Sequence, residues 1–132
     1  PMQRTNANLW NGSLNLGYNQ SEIIEGACRR LICTGQTSID SPSNQQHPKD
    51  MRRQIMLGLK NLETFVKAAD MRLANIINLV IYATDVEPAQ KHFDVLGARF
   101  GSVNATPPIT LVDVTFSAVP GLMFEIGAKA AD

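Results

Sequence analysis

Residues 106–130 read TPPITLVDVTFSAVPGLMFEIGAKA, and this stretch decides the fold. It predicts two β-strands, 109–116 and 122–130, joined by a short turn at 119–121. Pro107-Pro108 stops whatever element comes before the first strand, because proline fixes φ and has no N–H to donate. The chain should therefore end in a β-hairpin.

Glu125 is the side chain of this stretch best suited to chemistry. It is a carboxylate in an apolar strand, and strand alternation places Phe124, Ile126 and Ala128 on the opposite face. On its own, the pattern also fits a polar residue on a solvated face. Both interpretations stay open at this point.

The length and composition of the chain predict one globular domain, residues 1–132. Apolar residues make up 44% and charged residues 18%, an ordinary globular composition that excludes a disordered tail. Twelve basic and twelve acidic residues cancel, so no net field favours nucleic acid or an anionic membrane. We expect no nucleic-acid partner and no membrane partner.

Cysteine usage and hydropathy indicate a soluble, cytoplasmic protein. Cys28 and Cys33 are the only cysteines, and along an extended strand they stand about 16 Å apart, too far for a disulfide. No window approaches the roughly 20 apolar residues of a membrane span. The start of the chain also lacks the apolar core of a signal peptide.

The rest of the chain predicts an irregular arm and then a ββαβαββ order of elements. The arm covers 1–17, strands cover 19–25 and 29–36 as an N-terminal hairpin, and a polar loop covers 38–49. A helix from 50 to 70 carries apolar residues at three- and four-residue spacing, and Asp50 favours its start. A strand at 76–84, a second helix at 85–101 and the C-terminal hairpin complete the order.

The strand at 76–84 has apolar residues on both faces. Leu79 and Ile81 lie on one face, and Val80 and Tyr82 on the other. Two helices cover only one face of such a sheet. The second face therefore predicts self-association of copies through their sheets.

In its motifs the chain resembles the Rid family of reactive-intermediate deaminases, also called the YjgF or L-PSP proteins. The resemblance spans 18–130 and depends on the joint order and spacing of four motifs. They are Tyr18-Asn19-Gln20, Thr34-Gly35-Gln36, the run VIYATD at 80–85, and the run PPITLVDV at 107–114 followed by FEIGA at 124–128.

This resemblance implies an α+β, chorismate-mutase-like fold, with two helices on one face of a mixed sheet, assembled as a homotrimer. Active members hydrolyse enamine or imine acids, such as aminoacrylate, iminobutanoate or iminopropanoate, in clefts between subunits. The products are a keto acid and ammonia, and neither metal nor cofactor is required. The implied partners are a small-molecule ligand and two further copies.

The resemblance assigns six residues to the cleft. Glu125 would be the catalytic residue that orients or activates water, and the backbone near Gly35 would donate hydrogen bonds. The substrate-binding positions are Tyr18, Thr34, Gly35, Ile109 and Leu111. From the residues alone, Tyr18 is also compatible with a structural role as a lid over the sheet edge. Gly35 is also compatible with a simple bend at the end of a strand.

The chain departs from the family pattern Pro-x-Arg-(Ser/Thr)-x-Val-(Glu/Asp)-Val. Ile109 stands at the arginine position and Leu111 at a position where cysteine is common. Hydrogen bonds to a charged group contribute about 1.5–3 kcal/mol, so the change predicts roughly ten- to hundredfold weaker carboxylate binding. A replacement cation would have to come from elsewhere, and the sequence leaves Arg4, Arg72 and Arg99 unplaced.

Three functions remain open from the sequence. They are imine or enamine hydrolysis, non-catalytic ligand binding by a trimer, and ribonuclease activity, which ranks last because the neutral net charge and the few aromatic residues offer no basic, base-stacking surface. His47 and His92 have no ligand partners at zinc-site spacing, so no metal is expected. Pro1 has two interpretations. An N-terminal proline amine is the base in tautomerases, but a processed start or a cloning remnant fits this chain better.

Overall fold

The computed structural model describes residues 1–132 and has an α+β fold. Its strands are β1 (Gln3–Asn6), β2 (Glu22–Glu25), β3 (Arg30–Gln36), β4 (Ile39–Ser41), β5 (Asn44–Gln45), β6 (Ile76–Ala83), β7 (Ile109–Asp113) and β8 (Phe124–Ala131). Its helices are α1 (Gly12–Asn15), α2 (Met51–Ala68), α3 (Val86–Gln90) and α4 (Asp94–Gly101). The predicted fold class is confirmed.

A mixed four-stranded sheet with the order β3-β8-β6-β7 forms the centre of the fold. β8 pairs antiparallel with both β3 and β6, whereas β7 runs parallel to β6. Two small two-stranded sheets, β1-β2 and β4-β5, flank it.

Helix α2 forms because its apolar residues recur at helical spacing and its first turn is capped. The side chain of Asp50 accepts a hydrogen bond of 3.0 Å from the backbone N–H of Arg53, as expected for an N-cap. The helix packs closely on the sheet at Gly58, where a β-carbon would lie 3.1 Å from the ring of Phe124. The predicted first helix is therefore confirmed, with its end at Ala68.

The two faces of the sheet differ as the alternation predicts. On the inner face, where α2 packs against β8 and β3, lie the buried Leu79 and Ile81 of β6. Val80 and Tyr82 point to the outer face, which no element of the chain covers, and both are partly accessible. We call these the inner and outer faces below.

The predicted N-terminal hairpin is wrong. β2 pairs with β1 from the arm that was expected to be irregular, and β3 pairs with β8. Gly26, at φ +72°, turns the chain after β2, and the N–H groups of Cys28 and Arg29 donate to the carbonyl oxygen of Asp132. These bonds hold the start of β3 beside the end of β8.

The predicted C-terminal hairpin is also wrong, although the turn at 119–121 is present. β6 lies between β7 and β8, so the two C-terminal strands do not pair with each other. Parallel strands need a crossover of a dozen or more residues, and the segment 84–108 supplies one between β6 and β7. β7 also ends at Asp113, three residues before the predicted end.

The predicted second helix is divided into α3 and α4. His92 N–H donates to the Ala89 carbonyl and Phe93 N–H to the Gln90 carbonyl, which are three-residue turns in place of the four-residue helical ladder. Leu96 and Phe100 of α4 lie in the core.

Both cysteines are free thiols in the fold. Cys28 is exposed, and Cys33 packs partly against the core, where burial raises the pKa of its thiol. A raised pKa keeps the thiol protonated and poorly reactive at neutral pH.

None of the helices combines the length and the apolar character that crossing a bilayer requires.

Candidate ligand-binding site

The largest cavity, of about 880 Å³, lies between helix α4 and strand β7, and we call it the α4–β7 cavity. Small-molecule sites commonly measure about 300–1,000 Å³. Its lining residues are Leu16, Gly17, Tyr18, Ile81, Gln90, Phe93, Leu96, Gly97, Phe100, Gly101, Asn104, Ala105, Thr106, Pro107, Ile109 and Leu111.

The cavity exists because α4 carries glycines at two positions where larger side chains would occupy the space. β-Carbons built on Gly97 and Gly101 would meet no atom within 4 Å. Phe93, Leu96 and Phe100 supply apolar surface between these glycines and the sheet. Two glycines four residues apart lie on one helix face, and this spacing was the available sequence signal for the cavity.

Tyr18 reaches the cavity because the next residue, Asn19, is fixed to the segment that leads into β7. Asn19 is buried, and its amide nitrogen donates to the carbonyl oxygen (2.9 Å) and the side-chain oxygen (3.0 Å) of Thr106. Its backbone N–H also donates to that carbonyl. The arm at 16–18 therefore forms one side of the cavity.

Ile109 and Leu111 lie on the inner-face side of β7 and line the same cavity. In the parallel register they stand opposite Leu79 and Ile81, so their side chains share that face. Both are partly buried against the core. Three sequence-predicted site residues, Tyr18, Ile109 and Leu111, are thus brought together.

The α4–β7 cavity contains no charged side chain. Its polar groups are the hydroxyls of Tyr18 and Thr106 and the amides of Gln90 and Asn104. The arginines left unplaced by the sequence do not line it. Arg4 pairs with Glu22 at 2.7 Å, and Arg99 pairs with Glu63 at 2.5 Å on another surface.

Glu125 lies on the outer face, away from this cavity. It stands opposite Tyr82 in the β6-β8 register and lines a smaller pocket of about 220 Å³. The pocket, called the Glu125 pocket below, is lined by Tyr82, Thr84, Val114, Phe116, Ser117, Ala118, Met123, Phe124 and Glu125. Sequence reasoning missed Phe116, which lies in the irregular segment after β7.

Gly35 of β3 lies directly against Glu125, whereas Thr34 stays apart from both cavities. A β-carbon on Gly35 would lie 2.5 Å from Cγ of Glu125 and closer still to its carboxylate. Thr34 is exposed, and its carbonyl oxygen accepts a hydrogen bond of 3.1 Å from Gln36 Nε2. Within one copy, the six predicted residues therefore divide between two faces of the sheet.

Metal-ligating side chains do not cluster in the structure. No group of three or more His, Cys, Asp or Glu residues comes close enough to hold a metal ion. The His47 carbonyl accepts a hydrogen bond of 3.1 Å from Gln54 Nε2, which is a structural contact.

Comparison with known proteins identifies the family. A family model described as Endoribonuclease L-PSP matches residues 15–132. The chain belongs to this family, the Rid or L-PSP family. No curated protein matches the Rid-family chain significantly.

Solved structures of Rid proteins share its fold. YyfB from Yersinia pestis, a conserved Rid protein, is 22% identical, with a TM-score of 0.82 and coverage of 99% of this chain and 98% of that chain. The YjgF gene product of E. coli is 25% identical, with a TM-score of 0.69 and coverage of 86% and 87%. E. coli TdcF, solved with bound serine, is 26% identical, with a TM-score of 0.69 and coverage of 87% of both chains.

Proposed function

We propose that this protein binds a small, uncharged and largely apolar metabolite in the α4–β7 cavity. One observation carries the proposal: a cavity of about 880 Å³ has no charged side chain in its lining. Burying apolar ligand surface contributes roughly 25 cal/mol per Å². The hydroxyls and amides of Tyr18, Gln90, Asn104 and Thr106 would orient the ligand.

The apolar pair Ile109 and Leu111 disfavours a carboxylate ligand in this cavity. A carboxylate that leaves water without a cation or several N–H partners loses its hydration uncompensated. An arginine at position 109 would provide a bidentate partner, whereas isoleucine provides none. Serine, the ligand in the E. coli TdcF structure, is therefore expected to bind poorly here.

We further propose that the functional unit is a homotrimer in which the outer face of each copy contacts a neighbouring copy. Ile32, with 73% of its surface exposed, and Phe116, with 78% exposed, are large apolar residues without cover on this side of the molecule. The resemblance also puts Glu125 and Ile109 in one cleft. Because the two residues face opposite sides of the sheet within a copy, they can meet only across an interface between copies.

A second candidate function is hydrolysis of a neutral or protonated imine to a carbonyl compound and ammonia. The observation that favours it is Glu125, whose carboxylate makes no ion pair and accepts no side-chain hydrogen bond in the chain. It would take a proton from the water that adds to the imine carbon, and this proton would pass to the nitrogen, which leaves as ammonia when the C–N bond breaks and the carbonyl forms. Ribonuclease activity, named in the family description, has no basic side chain in either cavity to support it.

A thermal-shift screen tests the binding proposal, because a ligand that binds only the folded state raises the melting temperature. The screen uses uncharged aromatic and aliphatic amides, alcohols and ketones, with their carboxylate counterparts. We expect uncharged members to stabilise the wild type and Gly97→Leu to abolish the shift by filling the cavity. Gly12→Leu is the matched control, because Gly12 also faces open space but does not line the cavity.

The outcome that contradicts the proposal is stabilisation by carboxylates alone, or shifts that survive Gly97→Leu. The hydrolysis candidate has its own assay, ammonia release from imines generated by an amine oxidase. Release no faster than in buffer would remove the catalytic candidate and leave the binding proposal intact. Sedimentation of a well-folded monomer at micromolar concentration would remove the trimer.

A further inference from the structure

Helices α2 and α4 lie side by side, and an open groove of about 460 Å³ runs between them. We call it the α2–α4 groove. Because α2 turns its buried face to the sheet, the groove opens on the side of the helices that faces away from the sheet. It shares no lining residue with the Glu125 pocket or the α4–β7 cavity. A trimer in which the outer faces meet neighbouring copies leaves this groove accessible.

The floor of the groove is apolar. Met56, with 51% of its surface exposed, lies on α2, and Val95 and Ala98 lie on α4. Ala98 is exposed and small, so it leaves room between the two helices. Methionine side chains are flexible and polarisable, and surfaces that bind partner proteins often use them.

Two ion pairs join the helices along the groove. Arg52 Nη2 lies 2.9 Å from Asp94 Oδ2, and Arg99 Nη2 lies 2.5 Å from Glu63 Oε1. At 1.5 Å per residue, the two α2 members of these pairs stand about 16 Å apart along the helix axis. The stretch between them is therefore long enough for about three turns of a partner helix.

The solvent-exposed side of α2 is basic. Its four basic residues are all exposed, and Glu63 is the only acid of the helix. Arg99 neutralises Glu63, whereas Lys60, which lines the groove, and Lys67, two turns further along, make no ion pair. Unpaired cations beside an apolar floor are complementary to an apolar stripe flanked by carboxylates.

We propose that the α2–α4 groove docks an acidic amphipathic helix of a partner protein. Apolar residues of the partner, at three- and four-residue spacing, pack on Met56, Val95 and Ala98. Carboxylates beside this apolar stripe face Lys60 and Lys67. The proposal does not depend on the ligand of the α4–β7 cavity.

The test uses two fluorescently labelled synthetic helical peptides that share one leucine stripe and carry either glutamate or lysine at the flanking positions. Fluorescence anisotropy measures their binding to the wild-type protein. We expect the glutamate peptide to bind at least roughly tenfold more tightly, and this difference to shrink in roughly 1 M salt. Equal affinities, tighter binding of the lysine peptide, or no binding of the glutamate peptide at millimolar concentration would overturn the proposal without any variant.

Variants then locate the site. Met56→Glu puts a carboxylate on the floor of the groove and is expected to weaken binding of the glutamate peptide at least roughly tenfold. Phe65→Glu is the matched control, because Phe65 is on the same helix and equally exposed at 51% but does not line the groove. Lys60→Glu should make the lysine peptide the tighter ligand.

Two results with these variants would contradict the assignment. Equal weakening by Met56→Glu and Phe65→Glu would show that the peptide binds elsewhere. A smaller assembly of Met56→Glu than of wild type, measured by sedimentation without peptide, would show that another copy of this chain covers the groove.

Discussion

The Glu125 carboxylate packs directly over the α-carbon of Gly35, on the outer face of the sheet. A β-carbon on Gly35 would stand 2.5 Å from Cγ of Glu125, so any larger residue there would displace the acid. Gly35 adopts no positive φ, and its requirement for glycine is therefore one of space. Glycine at position 35 therefore leaves the space that the Glu125 side chain occupies.

Gly35→Ala should shift the Glu125 carboxylate without changing its charge. Because the added methyl group overlaps a flexible side chain that can turn away, we expect the free energy of unfolding to fall by only about 1 kcal/mol. Urea unfolding measures the loss.

A double variant provides the control for this prediction. In Gly35→Ala combined with Glu125→Ala the overlap is gone, so most of the lost stability should return. Additive losses in the double variant would mean that the two residues are not coupled, contrary to the geometry.

Gln54, on the buried face of α2, should stabilise the loop before β8 through its hydrogen bonds. Its Nε2 donates to the carbonyls of His47 (3.1 Å) and Gly121 (3.3 Å), and its Oε1 accepts from the N–H of Met123 (2.8 Å). Gln54→Leu should cost about 1–3 kcal/mol, because it leaves buried backbone groups unpaired. Urea unfolding measures the loss, and Met56→Leu on the same helix should stay within about 0.5 kcal/mol.

The ion pair between Arg4 and Glu22 should hold the N-terminal arm on the fold. Glu22 has a side chain only 4% exposed, and Arg4 also donates to the carbonyls of Ala74 (2.7 Å) and Ile76 (3.0 Å). Arg4→Met should destabilise the protein by about 3–5 kcal/mol, since it leaves a buried carboxylate without its partner.

Removing both charges should recover much of that stability. We expect Arg4→Met with Glu22→Leu to unfold at a higher urea concentration than Arg4→Met alone. If the double variant is the less stable of the two, the stranded charge is not the cause of the loss.

Stability should fall in acid partly through Asp94. Arg52 donates to both oxygens of this carboxylate at 2.9 Å, and this hydrogen bonding holds the pKa of Asp94 below its usual value. A folded-state pKa below the unfolded one adds stability above the unfolded pKa and loses it as the pH falls through the folded pKa. The window therefore lies below about pH 4.

Urea midpoints measured between roughly pH 5 and pH 2.5 check this expectation. Asp94→Asn should flatten the pH dependence slightly, because both partners are solvent-exposed and such pairs contribute little. In roughly 1 M salt, where the Debye length is about 3 Å, the difference from wild type should shrink. A steeper pH dependence in the variant would contradict the assignment.

Local patterns were sufficient to predict α2, β6 and the division of β6 into two faces. Helical spacing and the cap at Asp50 act within a few residues, so the sequence carries them directly. Strand pairing depends on distant segments, and Glu22–Glu25 pairs with Gln3–Asn6 although a nearer strand follows it. The hairpin rule fails there because a neighbouring strand is only the commonest partner.

The candidate site was predictable in its residues but not in its arrangement. The motifs singled out Tyr18, Ile109 and Glu125, yet the face that each occupies depends on strand register, and a shift of one residue would reverse it. Phe116, which lines the Glu125 pocket, was predicted only as the end of the strand 109–116, and no motif marked it as a site residue. The missing positive charge at Ile109 was visible in the sequence, while the absence of any substitute cation required the structure.

One calorimetric comparison tests the central claim, that the α4–β7 cavity of this Rid protein recognises uncharged ligands. Phenylacetamide and phenylacetate share a carbon skeleton and differ in charge. We predict that the amide binds wild-type protein at least roughly tenfold more tightly than the acid, and that Ile109→Arg reverses the order. Binding of phenylacetate to the wild type as tightly as the amide, or more tightly, would contradict the claim.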